Sequence, residues 1–581
     1  IQKSSIYYQF TKKISSNIKM TEKNFTGLIF DNIFPKNIGK GSKQIYFHDS
    51  NDLILNSQKE EMKKFAKKVN LLFFIISLTF LIFILINLIK ITLNETNLDP
   101  KYTQTEVTRG EILDRNGEVL ATSIKTKDLY INFKHILDKE KLFKKLTKMF
   151  PNKVHLIKLN KQKKYILLKK HLSLDEINEL KKIGDPGIVF QTSEKRIYPQ
   201  HNIFSHLTGF KIDKLKSKLE NNFDSTLSVG NDLRLTVDLK VQNIVRDELI
   251  KGLELYNAKS ALSIVMNVKN GEILSMVSLP DFDPNFPRTI QAFTENNLVT
   301  EARYEMGSTL KMFNAALAFE LKSSVIKKKF DISKGYQLTN KSTINDSHIR
   351  LDTINFDQAF IHSSNIASIK IIDEIGIEKQ KMLFKNIGLT DHPQINGLNV
   401  VSNKGPRIWN DTYSKSMSYG YGISLSPISL VSSFSALVNG GLSVTPIIIK
   451  QKLNNSNKRV LSKKTSEMIN LLLEKVVKNG TGRTANVTGL KLGGKTGTSK
   501  KVENGEYSEK KVITSFIGVF PIDNPNFLTF VLFDEPQRNT GLSLESFGSN
   551  TAAPTFSKIV SKISPILIQN NYFKYSRNEN K

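Results

Sequence analysis

The chain has 581 residues, 39% hydrophobic and 24% charged, so it has enough apolar side chains for folded domains and is not globally disordered. Cysteine is absent, which excludes disulfide scaffolds, cysteine-ligated metals and thiol nucleophiles, and no HExxH occurs; we expect neither metal nor cofactor. Lys and Arg exceed Asp and Glu by 84 to 54, a net charge of +30. The lysines are spread along the chain, which argues against nucleic-acid binding and favours an anionic lipid or cell-wall surface.

Residues 71–89 read LLFFIISLTFLIFILINLI and carry no charge. As a helix they would span about 28 Å, close to the hydrocarbon thickness of a bilayer. Lysines crowd the N-terminal flank and are sparse on the other side, which predicts a cytoplasmic N-terminus. We therefore expect an uncleaved anchor over 69–90, preceded by a mostly disordered cytoplasmic extension over 1–68 and followed by an exported part.

Residues 91–231 predict a support or interaction module without a catalytic constellation. Asn116-Gly117 lies between two apolar runs and predicts a hairpin. Ser173 begins the run SLDE, which is typical of a helix N-terminus, and predicts a helix ending near Ile183.

Residues 232–575 predict a second domain of mixed α/β class, with one antiparallel sheet covered by helices. A strand over 233–242 precedes an amphipathic helix, and two apolar runs flank the turn at 269–272. A further strand pair surrounds Asp523-Asn524-Pro525, and a last helix covers about 551–568.

Ser-x-x-Lys occurs four times, and chance explains most copies in a lysine-rich chain. The copy at Ser308 and Lys311 differs because it leads directly into the helical run MFNAALAFELK. Ser308 is thus predicted at a helix N-terminus, where free backbone N–H groups favour developing negative charge. The i, i+3 spacing is expected to bring the Lys311 amine beside the Ser308 hydroxyl.

Two further motifs follow in order: Ser363-Ser364-Asn365, and Lys495-Thr496-Gly497-Thr498 just before the strand VITSFIGVF. Alone, Ser308 reads as a helix cap, the Ser-Ser-Asn run as a turn and Lys311 as a solvated charge. Lys-Thr-Gly occurs only once in the chain, and three motifs in this order and context argue against coincidence.

This motif set resembles that of the class B penicillin-binding proteins, most closely their division-type peptidoglycan D,D-transpeptidases, over about residues 65–570. Further blocks resemble the same family: RGEILDRNG at 109–117, RIYPQHNIFSHLTGF at 196–210, SLPDFDPN at 278–285, SYGYGISLSPISLVSSFSALVNGG at 418–441 and GVFPIDNPNFLTFVLFDEP at 518–536. Met306 and Leu310 depart from the family's usual Pro and Phe, and neither departure changes a reacting group.

A serine hydroxyl needs an adjacent base, and Lys311 can serve as one if the charge of Lys495 keeps it neutral. The resemblance implies that Ser308 attacks a stem-peptide D-Ala–D-Ala carbonyl, releasing D-Ala, while Ser363 relays a proton and Asn365 orients Lys311.

It also implies that Lys495, Thr496 and Thr498 hold the substrate carboxylate and that the N–H groups of Ser308 and Thr498 form an oxyanion hole. Gly497 is expected to permit close approach of the backbone to substrate.

The resemblance implies a transmembrane anchor, a pedestal domain over 91–231 and a transpeptidase domain over 232–575 of serine β-lactamase-like fold. The expected location is the bacterial cytoplasmic membrane, with the catalytic domain outside the cytoplasm at the division septum. Expected partners are peptidoglycan stem peptides, β-lactams as covalent inhibitors, a SEDS-type glycan polymerase and other division proteins. The alternatives are an elongation-type transpeptidase, a D,D-carboxypeptidase, and a non-catalytic penicillin-binding receptor or divisome scaffold.

Overall fold

The computed structural model describes residues 49–95, 108–153, 165–340, 342–346, 348–391, 394–451, 457–503, 505–537 and 546–569. The chain divides into two compact units, residues 1–105 and 106–581.

The described part of the first unit is one long helix, α1 (Asp49–Glu95). Its stretch Lys63–Lys90 is long and apolar enough to cross a membrane, and none of its most apolar window is buried by protein. This confirms the predicted apolar helix by length and composition. The helix begins at Asp49, so residues 49–68 differ from the expected disorder: they contain neither Gly nor Pro and can extend a helix that the apolar segment nucleates. The rest of the predicted extension, 1–48, lies outside the described residues.

The second unit begins with a small mixed region. Its main elements are β1 (Ile112–Leu113), β2 (Val119–Asn132), α2 (Lys139–Met149), β3 (Tyr165–Lys169), α3 (Leu174–Ile183), β4 (Ile188–Ile197), β5 (Lys211–Ile212), β6 (Leu215–Lys216) and β7 (Leu233–Arg234). Strands β3, β2, β1 and β7 are neighbours in that order, and β4 also pairs with β2. All these pairs are antiparallel except β1 with β7.

Two local predictions in this region are confirmed. β1 and β2 form the hairpin predicted from Asn116-Gly117, and Gly117 adopts the left-handed φ of +96° that such a turn requires. α3 begins with a capping box, in which the Ser173 hydroxyl accepts from the Glu176 N–H and the Glu176 carboxylate accepts from the Ser173 N–H.

A buried ion network ties distant parts of this region together. Glu220, fully buried, accepts hydrogen bonds from the guanidinium groups of Arg109 and Arg196, at 2.8 and 2.6 Å. Arg109 and Arg196 begin two of the sequence blocks quoted above, so those blocks meet through one carboxylate.

The larger region is a sheet with helices on both faces. Its main elements are α4 (Leu239–Leu255), β8 (Ser260–Asn267), β9 (Ile273–Leu279), β10 (Tyr304–Glu305), α5 (Lys311–Glu320), β11 (Lys329–Asp331), β12 (Tyr336–Thr339), β13 (Ser342–Ile344), β14 (Thr353–Asn355), α6 (Phe356–Ile361), α7 (Asn365–Ile375), α8 (Ile377–Asn386), α9 (Asp411–Tyr419), β15 (Ser424–Leu425), α10 (Pro427–Val438), α11 (Lys463–Asn479), β16 (Gly493–Glu503), β17 (Glu506–Phe520), β18 (Phe527–Asp534) and α12 (Ala552–Gln569).

The sheet has the order β16-β17-β18-β8-β9, and every neighbouring pair is antiparallel. Both its faces are buried: along β18, Phe530 packs into the core shared with α5, while Val531 packs into the core shared with α4 and α12. The mixed α/β class and the antiparallel sheet covered by helices are confirmed. The sheet thus joins strands from both ends of the region, and β16 forms one edge.

The predicted strand over 233–242 is wrong in length. β7 covers only two residues, and α4 already begins at Leu239 because the Asp238 carboxylate caps it by accepting from the N–H groups of Lys240 and Val241.

Candidate active site

Ser308 lies where a turn of 3-10 helix, Gly307–Leu310, leads into α5. This is the predicted helix N-terminus. Ser308 is half-buried, and its hydroxyl makes no hydrogen bond to any described residue, including Lys311. The expected direct contact between the Ser308 hydroxyl and the Lys311 amine is therefore absent in this structure.

The Lys311 amine points instead at the Ser363-Ser364-Asn365 turn between α6 and α7. It donates hydrogen bonds to the Ser363 carbonyl oxygen (2.5 Å), the Ser363 hydroxyl (3.3 Å) and the Asn365 Oδ1 (2.7 Å). Ser363 has a left-handed φ of +63°, which is unusual for a residue other than glycine and costs about 1–3 kcal/mol. That conformation places both oxygens of Ser363 within reach of one buried amine.

Lys495 reaches the same hydroxyl from the opposite side. It lies on the edge strand β16, and its Nζ donates to the Ser363 Oγ at 2.9 Å and to the Thr496 carbonyl oxygen at 3.1 Å. One serine hydroxyl thus accepts hydrogen bonds from two lysines that lie far apart in the chain.

Both lysines are fully buried, with 0% exposure. Burial lowers the pKa of Lys311 to about 7, although the negative charge of Asp346 opposes this shift. Burial, and then the charge of Lys311, lower the pKa of Lys495 well below its usual value. The pair therefore gives up a proton far more readily than solvent-exposed lysines do.

The rest of the third motif lines the same edge. Thr496 is buried, and its hydroxyl is 2.9 Å from that of Thr481. The Thr498 hydroxyl accepts from the Gly548 N–H at 3.0 Å. These residues lie on β16, the strand just before β17, and β17 contains the predicted strand VITSFIGVF.

Glycines allow the first and third motifs to approach each other. A Cβ on Gly307 would lie 2.4 Å from the Thr498 carbonyl oxygen, and one on Gly497 would lie 2.7 Å from the Met306 carbonyl oxygen. The backbone before Ser308 therefore packs directly against β16, and the structure brings all eight predicted site residues into one neighbourhood.

Two acidic residues of the site were not predicted from the sequence. Asp346 is buried and accepts hydrogen bonds from the Ser364 hydroxyl and from the N–H groups of Asn365 (2.7 Å) and Ile366 (3.1 Å). It thereby holds the turn that carries Ser363. Glu305 lies three residues before Ser308, and its carboxylate accepts from the Gly422 N–H at 2.7 Å. No motif marks either residue, because both acquire their neighbours only through the tertiary fold.

Two protein-family models match the chain. A penicillin binding protein transpeptidase domain matches residues 261–561, and a penicillin-binding protein dimerisation domain matches residues 104–233.

Full-length relatives and a solved structure agree with these matches. The chain is 31% identical to the probable peptidoglycan D,D-transpeptidase FtsI of Caulobacter vibrioides, covering 80% of this chain and 82% of that protein. It is 28% identical to the peptidoglycan D,D-transpeptidase FtsI of Buchnera aphidicola, covering 86% and 96%. The crystal structure of penicillin binding protein 3 from Mycobacterium tuberculosis, complexed with aztreonam, matches with a TM-score of 0.63 at 21% identity, over 80% of this chain and 97% of that one.

Proposed function

The chain belongs to the penicillin-binding protein transpeptidase family, and we propose that it cross-links peptidoglycan stem peptides through an acyl-enzyme on Ser308. The proposal rests on the hydrogen bonds that the Ser363 hydroxyl accepts from two buried amines. One amine belongs to Lys311, in the first turn of the helix that follows Ser308, and the other belongs to Lys495 on β16. A lysine whose pKa is lowered to about 7 is neutral in part at physiological pH and can accept a proton.

In the first step, the Ser308 oxygen attacks the carbonyl carbon of the penultimate D-Ala as its proton passes to Lys311. The C–N bond then breaks, and the leaving D-Ala amine takes up a proton through the Ser363 hydroxyl, which contacts both lysines. Backbone N–H groups of Ser308 and Thr498 are the proposed oxyanion donors, and each such donor is worth about 3–4 kcal/mol in comparable enzymes. Lys495, Thr496 and Thr498 are proposed to hold the terminal carboxylate, and Asn365 to orient Lys311.

In the second step, an amine of a neighbouring stem attacks the ester carbonyl. The new C–N bond forms as the bond to the Ser308 oxygen breaks, and the amine proton returns to Ser308 by way of Lys311. A β-lactam would acylate Ser308 by the first step and act as a covalent inhibitor.

A labelling experiment tests the assignment of the nucleophile. Membranes containing the full chain are treated with a fluorescent penicillin, wild type beside Ser308→Ala. Labelling should fall to background, whereas the melting temperature should hardly change, since the Ser308 hydroxyl bonds to no described residue. A Ser308→Ala band as strong as the wild-type band would refute the active-site assignment.

For the cellular role, we propose septal cell-wall synthesis by a single-pass inner-membrane protein with a cytoplasmic N-terminus. The proposed division is an anchor over 69–90, a pedestal over 91–231 and a transpeptidase domain over 232–575, with a SEDS-type glycan polymerase and other division proteins as partners. Support comes from the apolar helix, from the lysines on its N-terminal flank and from similarity to the two FtsI proteins.

Depletion of the protein distinguishes a role in septal cell-wall synthesis from a role in cell elongation. Cells that lack a septal transpeptidase should continue to grow in length without dividing, and wild-type expression should restore division while Ser308→Ala should not. Rounded cells that have lost their shape would instead favour the elongation-type alternative.

A further inference from the structure

Glu305 is an acidic group beside the proposed nucleophile that has no cationic partner among the described residues. Its Oε1 accepts hydrogen bonds from the Gly422 N–H (2.7 Å) and the Tyr507 hydroxyl (3.2 Å), both neutral donors. Its Oε2 is shielded from solvent and accepts no hydrogen bond from the described chain. Lys501, which follows on β16, is paired with Asp534 and Glu535 instead. No described cation therefore pairs with Glu305, and burial raises the pKa of its carboxyl group.

Two tyrosines form an aromatic corner beside Glu305. The rings of Tyr421 and Tyr507 are 5.1 Å apart and perpendicular, at 89°. Tyr507 is 45% exposed, and its hydroxyl donates to Glu305, while the Tyr421 hydroxyl accepts from the Lys500 N–H on β16. Aromatic faces attract cations, and a carboxylate nearby adds to that attraction.

This group of residues, the Glu305 cluster, lies along the same strand as the lysine pair. The Glu305 carbonyl oxygen accepts from the hydroxyl of Ser499, the residue that follows Thr498 on β16. Lys495 lies four positions earlier on that strand. The buried lysine pair thus lies beside one end of this stretch of β16, and Glu305 with its two tyrosines lies beside the other.

We propose that Glu305, Tyr421 and Tyr507 form a subsite for the primary ammonium group of a stem peptide. The subsite rests on the proposed function, since cross-linking requires stems that carry a primary amine. Because donor and acceptor stems come from the same pool, either can supply the ammonium group, and the chemistry of recognition is the same. A stem with a carboxylate at its end and an ammonium group further along matches the two ends of this stretch.

The test measures discrimination between charged and uncharged substrates by the full chain in detergent micelles. In the donor arm, two synthetic peptides ending in D-Ala-D-Ala differ only in a side-chain amine that is free or acetylated, hydroxylamine is the acceptor, and D-Ala release is followed. In the acceptor arm, the acetylated donor is fixed, and the KM of an amine-bearing acceptor peptide is compared with that of hydroxylamine. Rates are normalised to the fraction of enzyme that a fluorescent penicillin labels.

The variants are Glu305→Gln, which removes the charge, and Tyr507→Leu, which removes one aromatic face. Wild type should prefer the charged substrate by about tenfold in one arm, mainly through KM, and both variants should lose most of that preference. The arm that responds identifies the donor or the acceptor as the source. Glu503→Gln is the matched control, because Glu503 lies on the same hairpin but pairs with Lys511, and its preference should equal that of wild type.

Preference in neither arm, or a preference that both variants retain, would overturn the subsite. Should Glu305→Gln fail to be labelled, Tyr507→Leu decides the question by the same ratio. Failure of the proposed function is seen separately, as wild-type enzyme that a penicillin does not acylate at Ser308.

Discussion

Lys311 shows how the site trades folding stability for reactivity. An unfolded chain would hold this proton up to about pH 10, whereas burial lowers the pKa of the folded group to about 7. The folded state therefore binds the proton more weakly, which costs free energy of folding at and below neutral pH. That cost declines as the pH rises from about 7 towards the unfolded pKa. The same lowered pKa makes Lys311 suitable as a base, because a neutral amine at physiological pH can accept a proton.

Acylation should slow as the pH falls through about 7, because protonation removes the base that Lys311 supplies. Well below that midpoint, the rate constant should drop about tenfold for each pH unit. The second-order rate constant for labelling by a fluorescent penicillin, measured from pH 5.5 to 8.5, checks this. A flat profile across that range would contradict the role given to Lys311.

Asp346→Asn provides a directional control for the same measurement. The Asp346 carboxylate raises the pKa of Lys311, so its neutralisation should move the midpoint to lower pH. The rate plateau should also fall, because the variant disturbs the hydrogen bonds that hold Ser364 and the start of α7. A lower plateau with an unmoved midpoint would make Asp346 purely structural.

Single strands and turns of the larger region set the distances within the site. β16 carries the third motif on a sheet edge, where no further strand covers it among the described residues. The turn before α5 fits against that edge only because glycines stand at the contact. Gly307 abuts Thr498, and Gly420 in turn abuts Gly307. Two successive backbone-to-backbone contacts, Gly420 with Gly307 and Gly307 with Thr498, therefore determine where Ser308 lies.

Gly420→Ala should displace the Ser308 turn and slow acylation by about tenfold or more, because its Cβ would lie 1.9 Å from the Gly307 carbonyl oxygen. The matched control is Gly422→Ala in the same loop. Both glycines have positive φ, so each alanine strains the backbone by about 1 kcal/mol, but a Cβ on Gly422 meets nothing closer than 3.5 Å. Penicillin labelling rates and thermal unfolding of both variants give the comparison, and equal rates would refute the role of this contact.

The whole chain combines a helix fit for a membrane with a large folded unit. The helix stretch Lys63–Lys90 leaves its apolar side chains uncovered by protein, whereas the described part of the second unit buries most of its large apolar side chains in shared cores. Such a division predicts that the apolar helix is solvated by lipid and that the catalytic unit works on one side of the membrane.

The proposed orientation can be tested cleanly because the chain contains no cysteine. Ser57→Cys introduces a thiol before the apolar stretch, and Ser228→Cys introduces one at an exposed position of the second unit. A membrane-impermeant maleimide applied to intact spheroplasts should label only Ser228→Cys, and lysis should make both reactive. Labelling of Ser57→Cys before lysis would reverse the orientation.

Local patterns in the sequence predicted much of this protein correctly. The apolar helix, the Asn116-Gly117 hairpin, the capped helix after Ser173 and the two long hairpins of the main sheet depend on interactions between residues close in the chain. The predicted strand over 233–242 was too long, because the Asp238 side chain caps α4 and that helix already begins at Leu239.

The chemistry of the site was decided only by the tertiary structure. Three motifs in order pointed to serine acyl transfer, but no spacing indicated that Ser363 would accept from two lysines at once. Nor did it reveal that Asp346 holds the Ser363 turn or that Glu305 stands without a cation. Burial, which lowers the pKa of both lysines, depends on residues hundreds of positions apart. Such shifts and contacts arise from packing, so the sequence predicts the reacting groups while the fold determines their charge and position.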